Sequence, residues 1–352
     1  MHKHTPQQPI LCLPAFPNAR QSGAERYLVG MNNQRFWYCS AALLLAAAPA
    51  RAQAVPNPGE RVESLITFGA QSDKQWGDDD FSQTFFFLVP QSQRTPVYIR
   101  VFDPGCGGKN DDLKGPANTI TSFSLYGGPG TFSGPQARDP RPTNPAPTGR
   151  LLKSQSFGSE PQYDGKWYTF GPLNPLEGEP VDEFQGRVFK LVARGLSGND
   201  GNLYRYFFST SPTENVSVEG GNAFTYEYCF RLPATASKTT VHLYPFVNDK
   251  VVSIKQSNYD VDNAATLSVF SIAKNGQSGT MSGDGEWASS VFPIASKEHG
   301  LSLDFRLTSA KPAPNDMVLY VTDQYETALP FFAIPLGGRP RYQYDIGVKI
   351  HR

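Results

Sequence analysis

Apolar and polar residues alternate along much of the chain. Leu301, Leu303, Phe305 and Leu307 are interleaved with Ser302, Asp304, Arg306 and Thr308. This is the pattern of a strand with one buried and one wet face. Phe224, Tyr226, Tyr228, Phe230 and Leu232 alternate with Thr225, Glu227, Cys229 and Arg231, which predicts a strand over 224–232. Tyr342, Tyr344, Ile346, Val348 and Ile350 repeat the pattern to the C-terminus and predict a last strand docked in a sheet. Residues 81–89 are apolar on both faces, as in a central sandwich strand. No stretch keeps apolar residues at helical spacing for three turns. Short strands separated by Gly/Pro turns predict an all-β fold of β-sandwiches, jelly-roll or immunoglobulin-like.

The strand-like segments recur in order. FFFLVP at Phe85 is matched by YCFRLP at Tyr228, and VYIRVF at Val97 by VHLYPF at Val241. SFSLYGG at Ser122 is matched by SVFSIA at Ser268, and TFSG at Thr131 by TMSG at Thr280. Lys166-Trp167 is matched by Glu286-Trp287, GRVFKLVARG at Gly186 by GLSLDFRLTS at Gly300, and NDGNLY at Asn199 by NDMVLY at Asn315. A collinear series of this kind predicts two tandem β-sandwich domains related by internal duplication, 55–212 and 213–352. The boundary falls near Ser209–Gly221, while the Pro/Gly-rich stretch 127–147 reads as a surface loop.

The longest apolar run, Phe36–Pro49, is about half the length of a bilayer-spanning helix. Met31 and Arg35 precede it, and small residues around Ala52 and Ala54 follow. Charged start, apolar middle and small-residue end make a secretory signal peptide over 31–54, with 1–30 an over-extended start and no transmembrane segment after processing. The predicted location is periplasmic or secreted. Removing 1–54 takes five basic residues and one acid from totals of 32 each, leaving 27 basic and 31 acidic residues, net −4. That balance gives nucleic acid no basic field to bind. It also leaves two cysteines, Cys106 and Cys229, which an oxidising compartment predicts to be a disulfide stapling the two domains.

Aromatics make up 12% of the chain, too many for a disordered one. No G-x-S-x-G, H-E-x-x-H, P-loop or dinucleotide fingerprint is present, and the mature chain has three histidines, His242, His299 and His351. Acids are concentrated in turns. Asp78, Asp80, Asp103, Asp111, Asp112, Asn199 and Asp200 are the candidate metal ligands, because calcium takes six to eight hard oxygens from such turns. The competing reading is that Asp, Asn and Gly are simply good turn residues. Trp76, Trp167 and Tyr168 are candidate stacking rings for a sugar, weighed against a place in the core. The acids Asp164, Glu177, Glu179, Asp182 and Glu183 are the alternative, a carboxylate pair for glycan hydrolysis. The expected function is therefore an exported tandem β-sandwich binding or adhesion module, calcium-stabilised, for a glycan or an extracellular or envelope protein. A glycan-active hydrolase and a structural component of a cell-envelope assembly are the alternatives.

Overall fold

The computed structural model describes residues 54–55, 64–140, 148–233 and 239–337. Sixteen strands carry the architecture. The first eight are β1 (Ser64–Phe68), β2 (Ser82–Pro90), β3 (Val97–Phe102), β4 (Ile120–Gly127), β5 (Arg150–Phe157), β6 (Trp167–Leu173), β7 (Gly186–Ser197) and β8 (Gly201–Ser209). The second eight are β9 (Glu227–Leu232), β10 (Thr240–Leu243), β11 (Ser253–Tyr259), β12 (Ala265–Phe270), β13 (Asn275–Gly279), β14 (Trp287–Pro293), β15 (Asp304–Ser309) and β16 (Asn315–Asp323). Every pairing among them is antiparallel.

The fold is an all-β sandwich. In the first half, β1-β8-β3-β6 form one sheet and β2-β7-β4-β5 the other. In the second half, β9-β16-β11-β14 and β10-β15-β12-β13 repeat that order. Ranked within each half, both read 1-8-3-6 over 2-7-4-5, the jelly-roll arrangement among the two expected. Four of the sequence matches fall on strands of equal rank: β4 with β12, β7 with β15, β8 with β16, and Trp167 with Trp287, each the first residue of a sixth strand. Two do not. FFFLVP lies in the second strand of its roll and YCFRLP in the first strand of the other, and the next pair inherits the slip. Shared order is a statement about topology, not descent.

The rolls are not separate bodies. β1 pairs with β9 through Leu65↔Phe230 and Ser64↔Arg231, which joins two four-stranded sheets into one long sheet. The core is correspondingly continuous. Leu65, Phe85, Phe87, Phe123, Tyr204 and Tyr206 of the first roll belong to one buried cluster with Tyr228, Phe230, Ile254, Phe305 and Leu319 of the second. The alternation over 224–232 is real, but it is not one strand. Asn222–Thr225 pairs with β2 in one sheet, and Glu227–Leu232 pairs with β1 and β16 in the other. The chain changes sheets at Tyr226. Phe224 and Tyr226 therefore fill an outer aromatic cluster with Phe86, Phe132 and Phe332, while Tyr228 and Phe230 enter the main core. The two-sided apolar strand β2 supplies both, Phe85 and Phe87 inward and Phe86 and Leu88 outward.

Where β1 and β9 diverge, the Gln83 side chain takes the place of a strand. Its Nε2 donates to the Cys229 carbonyl at 3.0 Å and to the Ile66 carbonyl at 3.3 Å, and its Oε1 accepts from the Cys229 N–H at 3.1 Å. A primary amide has the donors and acceptor of a peptide group, so it continues the ladder.

The expected disulfide is absent: both cysteines are free and buried. They belong to different environments. Cys106 sits in the loop after β3, its N–H bonded to the Gly158 carbonyl. Cys229 lies on the outer face of β9 among Ile66, Phe68, Tyr259 and Val318, with its thiol donating to the Gly77 carbonyl at 3.4 Å. Burial pushes both thiols above their ordinary range. The expected over-extended start (1–30), residues 31–53 of the expected signal peptide and the last strand over 342–350 lie outside the described residues. Among the described residues no helix is long and apolar enough to cross a membrane.

Gln83→Leu keeps the volume and strands the Cys229 amide and two carbonyls. It is expected to cost about 2–3 kcal/mol in urea unfolding. A variant as stable as wild type would show that the side chain is not a bridge.

Candidate functional site

Four loops gather at one end of the first roll: 69–81, 103–119, 158–166 and 198–200. The candidate metal ligands are there, and all but Asp112 are occupied by these loops and the strand ends beside them. Asp78 accepts from the backbone N–H groups of Phe68 (2.9 Å), Phe81 (2.8 Å) and Asp80 (3.3 Å). Asp80 accepts from Ser82 N at 2.8 Å. Asp103, held at φ +57°, accepts from Gly165 N at 2.9 Å and from Asn110 Nδ2. Asp111 accepts from Gly107, Gly108 and Leu203. Asp200, fully buried, accepts from Lys114 N and Asn118 N, both at 2.8 Å. Asn199 bonds the Asn118 side chain through both its amide oxygen and its backbone N–H.

The seven do not converge on one point. Asp78 and Asp80 stand with Asp79 in one turn, their carboxylate oxygens within 4.8 Å of one another. A second such triad, Asp260, Asp262 and Asp284, lies in the second roll. Asp103, Asp111, Asp112 and Asp200 form no comparable triad among the described residues.

Asp112 serves a different purpose. Its carboxylate accepts from Arg231 at 2.9 Å and Lys114 at 3.1 Å. Arg231, on β9, also forks onto Asp316 of β16, Nε to Oδ1 at 2.7 Å and an NH2 to Oδ2 at 2.6 Å. The 103–119 loop of the first roll is thereby tied to the second. Bidentate geometry and partial burial make this a strong ion-pair network.

Crowding of carboxylates leaves a titration signature. Burial, with the Asp80 charge second, raises Asp78 well above the ordinary carboxylate range. Burial, then Asp79, brings Asp80 to about 7. Burial also brings Asp111 and Asp260 to about 7, against the pull of their amide donors.

The candidate stacking rings also lie apart. Trp76 packs over Phe68 (centroids 6.1 Å apart) beneath the Lys114 ammonium, 4.6 Å from its ring. Trp167 lies between Phe102 and the Arg100 guanidinium, 5.0 Å from its ring. Tyr168 packs edge-on to Phe157 at 4.9 Å and rests against the core. All three are half-buried packing residues.

A better-formed concavity lies on the outer face of the second roll. It has a volume of about 360 Å³ and is lined by Asp139, Pro140, Lys255, Ser257, Tyr320, Thr322 and Glu326. The strand period builds its floor. On β11, Ile254 faces the core and Lys255 and Ser257 face out; on β16, Leu319 and Val321 face in and Tyr320 and Thr322 face out. Register places Lys255 opposite Thr322 and Ser257 opposite Tyr320. One wall, Asp139-Pro140, comes from the first roll, and another, Glu326, from the turn after β16 at φ +62°. Trp287 stands beside it, its ring 5.5 Å from Tyr320 and 5.0 Å from Tyr259, with 37% of its surface exposed. Sequence reading missed this site because its floor residues are ordinary outward strand positions and a wall lies more than a hundred residues away. The usable signal was the outward polar set Lys255, Ser257, Tyr320 and Thr322.

No protein-family model matches the chain, and no curated protein matches it. Among solved structures, one titled "Structure of infectious bursal disease virus Gx strain" is similar over 77% of this chain and 74% of that one, at 11% identity and a TM-score of 0.15.

The titration of Asp78, Asp80, Asp111 and Asp260 has a definite sign. Their protons are held more tightly in the fold than in the unfolded chain, so their stabilising contribution is complete below about pH 4. For Asp80, Asp111 and Asp260 it is lost as pH rises through about 7. The melting temperature is expected to be higher at pH 5 than at pH 8, and Asp111→Asn to flatten that difference. Equal melting temperatures at the two pH values would contradict the assignment.

Proposed function

We propose that the protein is an exported binding module that takes a glycan in the cavity of Lys255, Ser257, Tyr320 and Thr322. The observation that carries this reading is the cavity itself. Its volume of about 360 Å³ is at the small end of the range for small-ligand sites. Its lining is hydroxyls, one ammonium and two carboxylates, which suits a ligand rich in hydroxyl groups. The exposed Trp287 ring offers the apolar platform on which a sugar face stacks. Export rests on the apolar run Phe36–Pro49 and the small residues after it. Calcium belongs to the same proposal, and its support is the crowding of carboxylates in the Asp78-Asp79-Asp80 and Asp260-Asp262-Asp284 triads. Descent of the two rolls from one duplicated ancestor is likewise proposed, supported by their common strand order.

Hydrolysis is the second reading, and one observation favours it: Asp139 and Glu326 line the same cavity. The acids singled out in the sequence fit less well. Glu177 pairs with Arg150 at 3.1 Å, and Glu179 accepts from the Phe132 and Ser133 backbones.

A glycan array read with wild type, Lys255→Ala and Trp287→Ala tests the proposal, in calcium and in chelator. Wild type is expected to retain a subset of glycans, and Trp287→Ala to weaken retention about tenfold, the scale of a lost aromatic contact. No retained glycan with folded wild type would overturn it. Shortened glycans released by wild type but not by Asp139→Asn would replace binding with hydrolysis.

A further inference from the structure

The end of the first roll opposite the acidic loops carries a second, smaller concavity. β2 begins at Ser82, next to the Asp78–Asp80 turn, and ends at Pro90; β7 begins at Gly186 and ends at Ser197, just before Asn199. Pro90 and Gly186 are register partners. About 30 Å of strand therefore separates this end from the carboxylates. The pocket has a volume of about 230 Å³, and its lining includes Pro90, Arg94, Pro175, Leu176, Pro180 and Arg187.

Separate segments bring these residues together. Pro90 closes β2, and Arg94 stands in the connection to β3. Pro175 and Leu176 open a 3-10 turn capped by Asn174, whose Oδ1 accepts from Leu176 N at 3.0 Å. Pro175 is buried, and Leu176 is 67% exposed. Pro180 lies in a short strand, Glu179–Val181, opposite Arg187 of β7. Proline has no N–H and no rotamer freedom to lose, so such a wall takes an apolar body without leaving donors unpaired.

Charge supplies the rest. Both charged residues of the lining are arginines, and no carboxylate lines it among the described residues. Backbone carbonyls fix each guanidinium: Arg94 donates to Gln91 O at 2.6 Å, and Arg187 to Gly178 O at 3.1 Å and Leu176 O at 3.4 Å. A carbonyl positions a cation without neutralising it, and a guanidinium has five N–H donors. Among the described residues neither arginine forms an ion pair. Glu177, beside Leu176 in the chain, is held by Arg150 at 3.1 Å.

We propose that this pocket binds a small aliphatic carboxylate, its chain against Pro90, Pro175, Leu176 and Pro180 and its charge at Arg94 and Arg187. The planar fork of arginine matches the two oxygens of a carboxylate. Volume limits the ligand. At about 30 Å³ per water-sized group, roughly eight non-hydrogen atoms fit, the size of hexanoate.

Saturation-transfer NMR titration with hexanoate tests this on the wild-type chain, on Arg94→Glu and on Leu176→Asp. Both positions are exposed and lie in different segments, so neither change removes core packing and the two report independently. Wild type is expected to bind saturably with a Kd of about 1 mM, the scale for a ligand of this size. Each variant is expected to bind at least tenfold more weakly. Hexylammonium keeps the chain and reverses the charge; acetate keeps the charge and removes the chain; neither is expected to saturate. Absence of saturable hexanoate binding to wild type overturns the proposal. An unchanged Kd in either variant overturns it as well, as does either control binding as tightly as hexanoate.

Discussion

Everything in this molecule hangs on the short contact between β1 and β9. Two residue pairs, Leu65↔Phe230 and Ser64↔Arg231, join eight strands into one sheet. So few backbone bonds do not hold two sandwiches together alone. Gln83 extends the ladder from within, and Arg231 extends it from outside by gripping Asp316 and Asp112. With the seam closed, the two apolar interiors merge into one core. Loop 69–81 then packs Trp76 and Phe81 onto the outer surface of Ile66, Phe68, Cys229 and Val318.

This arrangement determines which polar groups remain for chemistry. At the loop end of the first roll, carboxylates replace regular secondary structure as acceptors for backbone N–H groups. A carboxylate that holds two or three amides is a fastener, and its burial is the reason its proton is retained so high in pH. The outer face of the second roll is different. Its side chains are spaced by strand geometry: Lys255 is exposed, and Ser257, Tyr320 and Thr322 are largely buried along the floor of the cavity. Bringing the rolls together supplies one wall, Asp139-Pro140, and the turn after β16 supplies the other, Glu326.

Strand periodicity was legible because burial of one face imposes a period of two on any sequence. The all-β architecture, β2 as a two-sided strand and four of the repeat matches followed from it. Three readings failed for identifiable reasons. The change of sheets at Tyr226 leaves alternation intact, so residues 222–232 resemble one strand. Repeat matching aligned β2 with β9 because both end in Leu/Val-Pro, although Leu232 closes a first strand and Pro90 a second. Pairing Cys106 with Cys229 rested on compartment and count, which carry no information about which surfaces the two thiols face. The candidate acids were correctly located in turns, but composition does not distinguish an acid that binds a ligand from one that binds its own backbone.

The two unpaired thiols give the molecule a property that a disulfide would have removed. Neither is in contact with solvent, so a thiol reagent reaches each only when its surroundings come apart. Cys106 is sealed by the loops at the far end of the first roll, and Cys229 by the turn that covers the seam. The pair amounts to two clocks wired to different events, one set by fraying of a loop end and the other by parting of the rolls.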